Sequence, residues 1–159
     1  MTANIDTPHR DFEFLDPGKL VDAELELVLV KKHPADPIKA WVPAYEFEMR
    51  HGVTGEKMGE ISLRIGNNEN SHYGGHLGYG VLEEFRGRRL ASRSMQLLFE
   101  LAKRHGLTQV WVTCNPENTA SRKTCENAGG ELIEIVDLPE TNDQYLRGER
   151  KKCRYRFTL

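Results

Sequence analysis

No stretch of this 159-residue sequence approaches the twenty or so consecutive apolar residues that a membrane-spanning helix requires. The opening residues, MTANIDTPHRDFEF, lack the hydrophobic core that a signal peptide carries. An excess of either charge is missing as well. Lys plus Arg number 22 and Asp plus Glu 24, a net charge of −2, which argues against general affinity for nucleic acid or for a membrane surface. Cysteine is sparse. Cys114, Cys125 and Cys153 are odd in number and lack metal-type spacing, so neither a disulfide framework nor a metal site is expected. Reduced thiols in a cytoplasm are the expectation. Internal repeats and low-complexity tracts are absent too. What remains is the length of one domain with a self-sufficient core.

The rest of the chain is organised around residues 77–91, LGYGVLEEFRGRRLA. Leu77, Tyr79 and Val81 alternate with Gly78 and Gly80, the period of a strand. The face carrying the two glycines is nearly bare, so a flat or linear ligand can lie directly on that backbone. Ala91, Met95, Leu98 and Ala102, widened by Leu90, Leu97 and Leu101, give the core-facing stripe of a long helix. Lys103, Arg104 and His105 suit its last turn, and Gly106 its left-handed cap. The helix start is wrong for a purely structural element. A helix amino end carries partial positive charge and favours acidic neighbours, yet Arg86, Arg88, Arg89 and Arg93 crowd it. A bound polyanion, held by backbone N–H groups and guanidinium forks, accounts for that placement beside Gly87. An arginine-rich solvated surface accounts for the charges but not for where they sit.

This strand, R-G-R-R-L-A and helix resemble the acyl-CoA pyrophosphate loop of the GNAT superfamily of N-acyltransferases, which usually reads Gln/Arg-x-x-Gly-x-Gly/Ala. Arg86 and Ala91 fit the outer positions, and Arg89 stands where the family has its first glycine. A second segment, Asn118 to Gly130, resembles the GNAT run Asn-x-x-Ala-x-x-x-Tyr-x-x-x-Gly-Phe. Asn118 and Gly129 match, while Ser121 stands at the alanine position, Cys125 at the tyrosine and Gly130 at the phenylalanine. Together the two segments cover about residues 76 to 130.

The flanking chain agrees with such a domain. Residues 1–20 read as an irregular arm and 21–159 as a single GNAT-like domain of the α+β class, with a mixed, mostly antiparallel central sheet flanked by helices. Leu25, Leu27 and Leu29 mark a first strand. The three prolines in residues 33–43 exclude a regular helix there, although GNAT domains usually place one or two helices in this region. Tyr45, Phe47 and Met49, then Ile61, Leu63 and Ile65, alternate with polar residues and predict a hairpin. Residues 66–75, GNNENSHYGG, read as a mobile polar loop rimming the active site. QVWVTC at 109–114 predicts a strand, Asn115 or Asn118 caps a short helix ended by Gly129 and Gly130, and Leu132–Val136 predicts another strand. Residues 137–148 form a polar excursion, and Cys153, Tyr155 and Phe157 mark a closing strand. That alternation makes the basic run RGERKKCRYR an exposed strand face rather than a nucleic-acid site.

The resemblance implies an N-acetyltransferase that moves an acetyl group from acetyl-CoA to an amine by direct transfer. The implied donor site comprises Tyr79, Val81, Leu82, Arg86, Gly87, Arg88, Arg89, Leu90, Ala91, Asn118 and Ser121, with a backbone N–H of Val81 or Leu82 polarising the thioester carbonyl. The family tyrosine acid and the glutamate base found in some members, at the positions of Cys125 and Thr113, are both replaced. Cys125 becomes the candidate acid, against a reading as a small buried residue. His76, Glu60 and Glu83 become candidate bases, His76 having the most suitable unperturbed pKa, about 6.5. The acceptor is a small-molecule or peptide amine, and a homodimer is left open. The rival reading is a catalytically inactive acyl-CoA-binding sensor or interaction domain.

Overall fold

In the computed structural model, which describes residues 12–159, there are eight strands and four helices, and the elements read from the sequence occur among them in the expected order. Strands β1 (Leu20–Asp22), β2 (Leu25–His33), β3 (Ala44–His51), β4 (Lys57–Arg64) and β5 (Leu77–Val81) form one antiparallel sheet in that order. Alternation decides its faces. Leu25, Leu27, Tyr45, Phe47, Met49, Ile61, Leu63 and Leu77 are buried on one side, and Glu46, Glu48, Glu60, Ser62, Gly78 and Gly80 share the other. Helix α2 (Leu90–Arg104) covers the apolar side with Leu90, Met95, Leu98 and Leu101, each worth about 1.5–3 kcal/mol when fully buried. Its end follows expectation, with Gly106 at φ +87°.

The expected single sheet is divided. Strands β6 (Gln109–Cys114), β8 (Lys151–Thr158) and β7 (Glu131–Asp137) form a second, three-stranded sheet in the order β6-β8-β7, and every ladder in both sheets is antiparallel. The two sheets are joined where His76 N–H donates to the Trp111 carbonyl at 2.7 Å and Trp111 N–H donates to His76 Nδ1 at 2.9 Å. Beyond that point no ladder links β5 to β6, and a cleft opens between them.

Two expectations change. Residues 66–75 are not a mobile loop, because Asn68 and Ser71 close a capping box over the short helix α1 (Glu69–Gly74). Asn68 and Asn70 also donate to the Ala40 carbonyl, tying α1 to the proline-containing segment, which is non-helical as expected. The arm ending at residue 20 is irregular but docked. Leu15 N–H donates to the Tyr45 hydroxyl at 2.8 Å, and Phe12 and Phe14 pack on His105 and Tyr45. Residues 1–11 of that arm lie outside the described residues. Asn118, rather than Asn115, caps helix α3 (Thr119–Asn127), and the polar excursion contains a single helical turn, α4 (Asp143–Leu146).

Candidate active site

Three features converge around β5. The first is the turn into α2. After a 3-10 turn at Glu83–Phe85, Gly87 adopts φ +88° and Arg89 φ +56°, so Arg89 takes the left-handed conformation in which its family counterpart is a glycine. No side chain caps α2 and no acidic residue lies in its first turn, so the amides at the start of the helix have no intrahelical acceptor. Arg86, Arg88 and Arg89 are exposed and, among the described residues, make no ion pair. Leu90 and Ala91 bury their side chains and offer only backbone. Arg93 is different. Its Nε meets Asp22 Oδ2 at 2.6 Å and its Nη2 meets Glu24 Oε1 at 2.8 Å, holding the Glu24 carboxyl down at about 2. Arg93 therefore leaves the anion-binding set and anchors α2 to the β1–β2 turn.

The second feature is the open edge of β5. Leu82 N–H donates to Met58 at 2.9 Å, and Arg64 N–H donates to His76 at 2.7 Å. Antiparallel bonds recur at every second residue. With Glu60 opposite Gly80 and Ser62 opposite Gly78, the even-numbered residues of β5 bond to β4. The N–H groups of Tyr79 and Val81 therefore face the cleft. Of the two expected carbonyl-polarising amides, Val81 is free and Leu82 is spent on Met58.

The third feature is a cavity of about 1030 Å³ on the polar face of the first sheet, walled by the 33–44 segment, α1 and residues 141–147. The bare glycine face opens here and not onto the cleft edge. A Cβ at Gly80 would meet nothing within 4 Å, whereas Gly78 is covered by the Arg64 guanidinium. Glu60 stands beside Gly80 in the ladder, exposed and 3.3 Å from Lys57. Also lining the cavity, Glu46 pairs with His33 at 2.7 Å. The Glu46–His33 pair was not singled out from the sequence, although the alternation of β3 already placed Glu46 on the same face as Glu60.

The structure removes His76 and Glu83 from the candidate bases. His76 is 1% exposed, its Nδ1 accepts from Trp111, and its Nε2 contacts Gly66 O and Asn67 Oδ1 at 3.1 and 2.7 Å. Burial lowers its pKa to about 4, and no ring nitrogen is left to take a proton. Glu83 lies in the exposed 3-10 turn and does not line the cavity. Glu60 does. Thr113, at the position of the family glutamate, donates to the Tyr73 carbonyl at 2.9 Å.

Across the cleft, Asn118 Oδ1 accepts the Ser121 amide at 3.1 Å, and the Tyr79 hydroxyl donates to Ser121 Oγ at 3.1 Å. Cys125 is fully buried, and burial pushes its thiol up to about 12, which makes it a poor proton donor. Burial also raises the Tyr79 hydroxyl above its ordinary value. Among the described residues no group of His, Cys, Asp and Glu is arranged to hold a metal ion.

Residues 25–131 match a family model described as an acetyltransferase (GNAT) domain. Among solved structures, the chain resembles RimL, a ribosomal L7/L12 alpha-N-protein acetyltransferase in complex with coenzyme A. The two are 16% identical with a TM-score of 0.63, over 89% of this chain and 98% of that one. An acetyltransferase from Salmonella typhimurium that modifies the N-terminal serine of ribosomal protein L7/L12 is 19% identical, with a TM-score of 0.57 over 77% of this chain and 66% of that one. The microcin C7 self-immunity acetyltransferase MccE, in complex with acetyl-CoA and AMP, is 16% identical, with a TM-score of 0.56 over 73% of this chain and 61% of that one. No curated protein sequence matches. At such identities the structural likenesses establish the fold.

Proposed function

This chain belongs to the GNAT acetyltransferase family, and from that premise we propose that it transfers an acetyl group from acetyl-CoA directly to an amine. The observation that carries this reading is the junction of an uncapped, arginine-flanked helix start with an open strand edge. The amides of Gly87, Arg88, Arg89, Leu90 and Ala91, with the Arg86, Arg88 and Arg89 guanidiniums, suit a pyrophosphate. The free N–H groups of Tyr79 and Val81 suit the pantetheine amides and the thioester carbonyl. Asn118 and Ser121 form the opposite wall of the cleft. Acetyl-CoA supplies the activated acyl group. The acceptor amine enters from the polar cavity, where Glu60 takes its proton directly or through water.

The acceptor class we favour is the amino group of a polypeptide. The cavity, at about 1030 Å³, offers more room than a small amine needs, and two of the neighbours named above act on the amino terminus of a ribosomal protein. The test is thiol release from acetyl-CoA with peptides bearing free or blocked amino termini, with mass spectrometry of the products. Free-terminus peptides should gain an acetyl group and blocked ones should not. Acetyl-CoA binding without turnover on peptides or small amines would favour the sensor reading instead. Failure to bind acetyl-CoA would overturn both.

A further inference from the structure

One charge in the polar cavity, Arg64, takes no part in the acetyl transfer. It is half-buried on β4, on the face that also carries Glu60 and Ser62. Its Nη1 donates to the carbonyls of Gly74 and Gly75 at 3.2 and 2.9 Å, which fixes the guanidinium against the end of α1. Among the described residues its Nε and Nη2 meet no acceptor, yet neither atom is sealed from solvent. Among those residues no carboxylate lies within 4 Å of it either, whereas Arg50, Arg93 and Arg154 each meet one at 2.9 Å or less. The acids that line the cavity are placed elsewhere. Glu46 meets His33, Glu60 meets Lys57, and Glu69 and Asp143 lie in the first turns of α1 and α4. Burial lowers the Arg64 pKa from its ordinary value, as expected for a cation held away from water without an anion.

A second donor reaches the same place. A Cβ at Gly78 would stand 3.0 Å from Arg64 Nη2 and 3.5 Å from Ser62 Oγ, so both groups converge above the bare backbone. Gly80, with Glu60 opposite, is the next rung of that ladder on the same face. Such rungs are about 7 Å apart. The cavity wall therefore presents a proton acceptor and, about 7 Å away, a guanidinium with a hydroxyl. Consecutive Cα atoms are about 3.8 Å apart, so a carboxylate on the first or second residue of a peptide lies at that range from its amino group.

We propose that Arg64, with Ser62, binds a carboxylate of the acceptor, and that the preferred acceptor is a peptide with Asp or Glu as its first or second residue. This rests on the reading of the chain as an acetyltransferase of polypeptide amino groups. Nε and Nη2 form a fork that suits a planar carboxylate, and the Ser62 hydroxyl adds a third donor. With the carboxylate held there, the amino group one rung away lies beside Glu60. Arg64 is thus a specificity residue and not a participant in the proton transfers.

The experiment uses peptides with amidated carboxyl ends that differ only in Asp against Asn, or Glu against Gln, at the first two residues. Acetyl transfer to each is measured with the parent, Arg64→Gln and Ser62→Ala proteins. The parent should favour the acidic member of a pair by about 10- to 100-fold in kcat/KM, chiefly through KM. Arg64→Gln should shrink that preference to within about threefold, and Ser62→Ala should reduce it in part. A purely structural Arg64, acting through Gly74 and Gly75, would instead lower both members of each pair equally and leave their ratio intact. Equal rates on acidic and amide peptides in the parent overturn the proposal without any variant, as does a preference that survives Arg64→Gln. If that variant does not fold, a ratio unchanged in Ser62→Ala overturns it. A neutral dipeptide with a free carboxyl end, preferred over every amidated peptide, would overturn the side-chain assignment and put the chain end on Arg64. A parent that binds acetyl-CoA but acetylates no peptide overturns the polypeptide reading, and this proposal with it.

Discussion

The Phe157 ring lies so close to Gly130 that a Cβ there would stand 2.6 Å from Cζ and 2.8 Å from Cε2. Gly130 occupies the position at which the resembled motif has phenylalanine, and an aromatic ring reaches that place from β8. The φ of Gly130 is not positive, so alanine there is excluded by space and not by torsion. Gly130→Ala should destabilise the protein by about 1–3 kcal/mol, through overpacking. That corresponds to a Tm lower by roughly 2–4 °C per kcal/mol. Combining it with Phe157→Leu should lose less than the sum of the single losses, as judged from urea melts. Simple additivity would show that the contact is not the cause.

His76 makes a pH prediction. An unfolded histidine titrates near 6.5, and folded His76 titrates near 4 because it is buried. Between those values the unfolded chain binds a proton that the folded chain does not. Stability is therefore complete above about 6.5 and is lost as pH falls towards 4, by roughly 3 kcal/mol from this one group. His72 and His105, also lowered by burial, add to the slope in the same direction. Urea melts at pH 7 and pH 5 should show the loss. His76→Gln should be less stable at pH 7, because the Trp111 link is weakened, but should have a flatter slope. Equal losses in parent and variant would exonerate His76.

Local pattern carried much of this protein. Strict alternation at Tyr45–Phe47–Met49 and the stripe from Leu90 to Ala102 encode their own partners' side of the sheet, so β3 and α2 were legible. Position alone could not separate Arg93 from Arg88, because the difference lies in Asp22 and Glu24, more than sixty residues away in sequence. The same holds at the site. The spacing between Asn118 and Gly129 survived in the sequence, but the ring beside Gly130, where the motif has its phenylalanine, is Phe157 from β8. Only the placement of that strand reveals it. His76 misled because a histidine at a strand start looks the same whether its nitrogens are free or engaged.

Arg88 and Arg93 should therefore fail in opposite ways. Arg93→Ala removes two charge-assisted contacts, and should cost about 1–2 kcal/mol of apo stability. It should retain most of the thermal shift that acetyl-CoA produces by mass action. Arg88→Glu should leave the apo Tm nearly unchanged and abolish most of that shift, because it places a carboxylate beside the α2 amides. Melts of both variants with and without acetyl-CoA decide it. The reverse pattern would mean that the anion sits on the Arg93 side of the helix.

Gly80 tests which surface of β5 carries which substrate. Its amide bonds to β4, its missing Cβ points into the polar cavity, and nothing lies within 4 Å of where that Cβ would be. Gly80→Val should fold, and should melt slightly higher, since glycine weakens a strand interior by roughly 0.5–1 kcal/mol. The free amides of Tyr79 and Val81 lie on the edge and not on the glycine face, so acetyl-CoA affinity should be nearly unchanged. The added methyl groups stand next to Glu60, where the acceptor amine must approach. Transfer should therefore fall, with a raised KM for the acceptor and an unaltered Kd for acetyl-CoA. The two constants separate the alternatives. Should the valine weaken acetyl-CoA and spare the acceptor, the donor lies on the bare face after all, and the cavity beside Glu60 is not the acceptor's route.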